Sequence, residues 1–283
     1  MSVRRTGSVF YAAVVFLALS AAPATALTIT FTNGAFDPQF RQVFRPTLPS
    51  PDQFAALSNI FNAAASYWEA RIADNMNFRV AIGFFGAGAL PSNVLGATIG
   101  QGTVGFIGVS PLSRTNWFMD PTPELNEEFL TETLTFADLG GGRINVGDAF
   151  TGGPEQFDLL TTAIHELGHV LTGPLFGTGN LLVTSPRPAA GTELPFSESH
   201  LLLPVAVMFP FDDGNGRRLL SDADVLFAAQ AGHFSQVSLA ERDQGVPVAE
   251  PASLALLITG LSAGVLSRRR PWSVVRYARA CAM

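Results

Sequence analysis

Phe157-Asp158-Leu159-Leu160-Thr161-Thr162-Ala163-Ile164-His165-Glu166-Leu167-Gly168-His169-Val170-Leu171-Thr172-Gly173 is the stretch whose reading decides this chain. Leu160, Ile164, Leu167 and Leu171 recur at spacings of three and four, the period of one buried helix face. Asp158 is placed to accept from the free N–H groups of the first turn, and Gly173-Pro174 stops the run. The spacing therefore predicts a helix with both ends specified.

On that helix His165 and His169 are four residues apart, so their imidazoles leave the same face one turn apart and can share one small cation. Two neutral imidazoles suit zinc, and a catalytic zinc needs three protein ligands with the fourth position left for water. Glu166 stands beside them as the general base on that water, which attacks a carbonyl polarised by the metal. That chemistry is amide hydrolysis without a covalent intermediate. The third ligand has to come from the 174–233 region. His200 is preferred, Glu193 and Glu198 are the alternatives if the set is two histidines and a glutamate, and His233, after the helix expected over 222–231, is a weaker candidate.

Working outward, residues 1–26 carry Arg4 and Arg5, an apolar core from Val9 to Leu19 and Ala24-Thr25-Ala26, the three parts of a secretory signal peptide. At the other end Val246 to Ser253 contains Glu250-Pro251 and leads into a short apolar run from Leu254 to Leu266, followed by Arg268-Arg269-Arg270. Residues 246–270 resemble the PEP-CTERM sorting signal of Gram-negative bacteria, with Ala249 in place of the first proline and a tail, residues 271–283, beyond the arginines. That resemblance implies an exported, cell-surface or extracellular protein, transient contact with the inner membrane through the C-terminal segment, and an exosortase-type processing enzyme as a partner.

Residues 27–245 are then one catalytic domain's worth of chain. The region from Leu27 to Glu250 holds 10 arginines, no lysine and all 23 acidic residues, a net charge of −13. Such a surface argues against nucleic acid or anionic membrane as partner. Cys281, the one cysteine, lies in the tail, so no disulfide holds the domain.

Within the domain a long helix is expected from Pro51 to Ala73, with Phe54, Leu57, Phe61, Ala64, Trp68 and Ile72 on its buried face. Strands are expected at 77–85, 94–99, 103–109, 132–136 and 143–146, loops at 110–129 and 174–199, the latter lying over the site. Ser221-Asp222-Ala223-Asp224 reads as a capping box, and Asp212-Asp213-Gly214-Asn215-Gly216 as a turn in preference to a calcium loop.

His200 followed eight residues later by Met208-Phe209-Pro210 resembles the closing part of a metzincin zinc site, in which a methionine turn lies beneath the metal. The metzincin string continues directly as His-x-x-Gly-x-x-His. Here Thr172 holds the glycine position, Gly173 is displaced by one and Leu175 stands where the third histidine would be. The spacing is similar to that of leishmanolysin-like proteases, in which an insertion precedes the third ligand. The resemblance implies an α+β zincin: a twisted, mostly parallel sheet, an N-terminal helix, an active-site helix and a loop-rich C-terminal subdomain. It implies a zinc endopeptidase acting on protein or peptide, with metal ligands His165, His169 and His200, base Glu166, and 132–136 or 143–146 as the edge strand that pairs with substrate. Two rival classes use the same residues, a non-catalytic surface protein keeping a metal site and a zinc amide hydrolase on a non-peptide substrate.

Overall fold

The computed structural model describes residues 26–184, 189–210, 214 and 216–240. The signal segment up to Thr25, the C-terminal sorting segment and most of the 212–216 turn lie outside them.

The domain opens with β1 (Thr28–Asn33), the short helix α1 (Pro38–Phe44) and the long helix α2 (Pro51–Glu69). Then come β2 (Asn77–Phe84), β3 (Gly96–Gln101), β4 (Val104–Val109), β5 (Trp117–Phe118), β6 (Thr131–Asp138), β7 (Arg143–Thr151) and β8 (Phe157–Asp158). Helix α3 (Leu159–Thr172) follows directly, and after it β9 (Thr178–Leu182), β10 (Glu193–Ser197), β11 (His200–Leu201), β12 (Arg217–Leu219) and α4 (Asp222–Gly232). The chain is α+β. Its largest sheet has the order β1-β2-β4-β3, with β1, β2 and β4 parallel and β3 antiparallel at the edge.

The two long helices form where the apolar spacing puts them, but α2 stops at Glu69, short of the expected Ala73, and Ile72 pairs with Val237 instead. Ser50 and Gln53 close a capping box at the start of α2. Leu57, Phe61, Ala64 and Trp68 are buried, and Trp68 Nε1 donates to the Ile164 carbonyl at 3.0 Å, which joins α2 to the middle of α3. Asp158 caps α3 by accepting from Thr161 N at 2.9 Å, and Gly173 ends it at φ 65°. Burial of Leu160, Ile164, Leu167 and Leu171 fixes its rotation, and most of its other side chains are buried as well. The domain closes with residues 235–240 running back past the segment after α2 to the start of α4: Asp74 accepts from Ser235 N and Gln236 N, Ile72 pairs with Val237, and Ala240 N donates to Asp222 Oδ1 at 2.8 Å.

Several expectations need correction. The edge strand placed at 132–136 or 143–146 belongs instead to a separate antiparallel sheet of order β12-β7-β6, and among the described residues none of 131–151 lines the histidine cleft. Alternation in sequence identifies a strand but not its neighbour, and β3, rich in glycine, is the strand beside α3. The loop expected over 174–199 contains the hairpin β9–β10, whose Leu194 is buried, and among its described residues only the flanks 173–176 and 198–200 reach the cleft. The 110–129 loop carries β5, paired with β8 just ahead of α3. Strand β1 and helix α1 have no counterpart in the sequence reading.

One strained electrostatic contact sits on the β6–β7 sheet. Asp148 lies opposite Leu134, diagonal to Glu132 on the same face. Burial, and then the Glu132 charge, push its carboxyl up to about 6. A carboxyl whose pKa is raised by folding favours the folded state while protonated, so that contribution is lost as pH rises from about 4 through about 6. Asp148→Asn is expected to melt several degrees above the parent at pH 8 and level with it at pH 4; an equal difference at both pH values would refute this.

Candidate functional site

Helix α3 and strand β11 bring three histidines together. The ligand nitrogens of His165, His169 and His200 all lie within 4.8 Å of one another, and the two helix Nε2 atoms are 3.0 Å apart. The ring centroids are separated by 4.6, 5.3 and 4.7 Å. Among the described residues this is the one group of histidine, cysteine or acidic side chains so placed. Neither exposed Glu193, whose carboxylate accepts from Asn180, nor exposed Glu198 belongs to it. His233 is the left-handed C-cap of α4 and is not part of the group.

The surroundings fix how these rings present themselves. His165 Nδ1 donates to the Val207 carbonyl at 2.8 Å, which leaves its Nε2 lone pair directed at the cluster. Burial pulls His165 down to about 4, with His200 and Arg218 adding to the effect against the Val207 bond. Burial and then His165 and His200 hold His169 well below its usual range, and burial lowers His200 against the opposing pull of Glu198. All three are neutral near pH 7, the form that ligates a metal. Three convergent neutral imidazoles with one side on a cleft fit a small metal ion.

Beneath them runs the turn after β11. Met208 is fully buried, and its carbonyl accepts from Leu201 N at 3.0 Å, so the turn is tied back to the strand that carries His200. A Cβ at Gly168 would stand 2.2 Å from Met208 Sδ; glycine between the two helix histidines is what lets the thioether lie against the helix backbone. Asp224 is completely buried and accepts from Met208 N at 2.9 Å and Val207 N at 3.3 Å as well as closing its own capping box with Ser221. The α4 cap thus holds the peptide whose carbonyl orients His165. Sequence reading assigned Asp224 only the cap.

Glu166 is buried on the side of α3 that faces β3. Thr98 Oγ1 donates to its Oε2 at 2.6 Å, and burial pushes the carboxyl up to about 7 against that bond. Thr98 carried no signal in sequence, because a single threonine in a glycine-rich strand has no pattern that reports a tertiary partner. The histidines and Glu166 open on a cleft of about 1130 Å³. Its β3 wall includes Gly96, Ala97 and Thr98, with Leu95 just ahead of the strand; Phe157, Val207, Phe209 and Arg218 line it elsewhere, and Leu175 and Phe176 follow the C-terminus of α3. Phe176 is 86% exposed. Among the described residues no helix is long and apolar enough to cross a membrane.

The chain matches no protein-family model, no curated protein and no solved structure. What it does is therefore argued from an α+β fold and a three-histidine group able to hold a metal.

Proposed function

We propose that this chain is an exported zinc-dependent endopeptidase of metzincin-like architecture. The observation that carries the reading is the meeting of His165, His169 and His200 in a large cleft that Glu166 also lines. Three neutral imidazoles favour zinc, and the metal, when bound there, supplies Lewis acidity toward water and toward a carbonyl oxygen. Glu166 takes the proton from the attacking water and returns it to the leaving amine, and its buried, raised carboxyl is suited to both transfers. The antiparallel edge strand β3 beside the active-site helix favours a peptide over a non-peptide amide, and Glu166 kept alongside three histidines favours a catalyst over a metal-holding surface protein. An open edge strand along a cleft suits an extended peptide, which pairs through its backbone. Export, with a sorting segment at 246–270 acted on by an exosortase-type enzyme, completes the proposal from the two ends of the sequence.

The test is elemental analysis and peptide cleavage by the purified chain from Leu27 onward. About one zinc per chain and cleavage abolished by a chelator are expected. His200→Ala should lose the metal at micromolar chelator, roughly 10- to 100-fold more readily than the parent, while Glu193→Ala and Glu198→Ala keep it. If a glutamate variant strips the metal and His200→Ala leaves it bound, the three-histidine assignment fails.

A further inference from the structure

Glu166 is held in place by two residues of one strand. Gly96 and Thr98 are two apart on β3, so they face the same side of the sheet, the side toward α3. Thr98 Oγ1 lies 2.6 Å from Glu166 Oε2 and 3.1 Å from the carbonyl of the same residue, so the hydroxyl sits over that turn of the helix. Among the described residues it is the only hydrogen-bond donor to the carboxylate. The other oxygen lies against Gly96. A Cβ there would stand 2.5 Å from Oε1 and 2.8 Å from Cδ, so a side chain at position 96 and the present carboxylate position exclude each other.

A glutamate carboxyl turns easily about its last torsion, since that rotation is broad and roughly two-fold. A base must nonetheless lie within hydrogen-bond reach of the proton it takes. Bare backbone at Gly96 and the hydroxyl of Thr98 together restrict that rotation. We propose that Thr98 and Gly96 are positioning residues that fix the direction of the Glu166 carboxylate toward the histidine cluster, Thr98 by its hydrogen bond and Gly96 by the room it leaves. The proposal deepens the hydrolase reading and rests on Glu166 as base. It makes β3 more than a wall of the cleft: the strand that borders substrate also aims the base.

The experiment compares Thr98→Val, Thr98→Ser and Gly96→Ala with the parent in the zinc-loaded chain. Thr98→Val keeps the shape and removes the donor, so kcat should fall roughly 10- to 100-fold with KM and zinc content unchanged, and Thr98→Ser should restore it. Gly96→Ala should show the same loss in kcat. A second readout needs no turnover. Acetohydroxamate chelates zinc and places its hydroxyl group against the base, so its affinity should fall in Thr98→Val and Gly96→Ala and return in Thr98→Ser. Melting curves identify any variant that fails to fold, in which case the remaining two decide. Parent-like kcat and hydroxamate affinity in Thr98→Val overturns the proposal, as does a change confined to KM or a loss that serine does not rescue. Should the parent bind zinc and hydroxamate but cleave no peptide, the endopeptidase reading falls while the hydroxamate series still decides the role of Thr98.

Discussion

Replacing Glu166 with glutamine is expected to leave zinc bound and to lower peptide turnover by about 10²- to 10⁴-fold. The substitution keeps the volume of a buried side chain and removes only its ability to take a proton. Thr98 can still donate to the amide oxygen, so neither the helix nor the strand loses its contact. The ligand rings are oriented by other partners, His165 by the Val207 carbonyl and His200 through the turn that Asp224 holds, and these do not involve Glu166. A dication at the imidazoles would draw the raised Glu166 carboxyl back toward ionisation, the form a base needs. Metal content and kcat measured on the same preparation make the test: activity within a few-fold of the parent removes Glu166 from the mechanism.

Much of the site was legible because it is local. Asp158, the 3–4 apolar spacing, the two histidines and Gly173 lie in one helix, and helix geometry alone sets which of them share a face. His200 was legible by scarcity, since only it and His233 remain outside the helix and Met208 follows His200 closely. The rest depends on contacts across long sequence separations. Glu166 meets Thr98 from 68 residues away, and no periodicity in 94–99 distinguishes a strand beside the site from one elsewhere. Residues 174–199 look like loop by their glycine, proline and serine, yet Leu181, Leu194 and Phe196 pack a hairpin onto the core. There tertiary burial overrides composition. The strands expected at 132–136 and 143–146 do pair, as the longer 131–138 and 143–151, but their sheet, and so their distance from the chemistry, is a property of the fold.

The second large effect is expected outside the metal ligands, at Arg217. Its side chain is completely buried, a position an arginine holds only when its donors are answered. They are: Nη2 donates to Asp120 at 2.6 Å and to Asp158 at 3.1 Å, Nε to Asp158 at 3.2 Å, and Nη1 to the Leu125 carbonyl at 2.7 Å and Asn126 Oδ1 at 3.0 Å. The guanidinium also lies 4.8 Å from the Phe129 ring centroid. One residue of β12 therefore anchors the 120–129 loop and the carboxylate that caps α3, two turns ahead of His165. Arg217→Ala leaves two buried carboxylates without their countercharge and should destabilise the domain by roughly 3–5 kcal/mol, a large share of the 5–15 kcal/mol typical of a domain. Arg217→Lys should recover little, because a compact ammonium cannot reach four partners arranged for a planar fork. Urea unfolding supplies the measurement, and a loss below about 1 kcal/mol would sink the claim. Adding Asp120→Asn to Arg217→Ala removes one orphaned charge, so the pair should be less destabilised than the sum of the single changes; strict additivity would mean that Asp120 and Arg217 are not coupled.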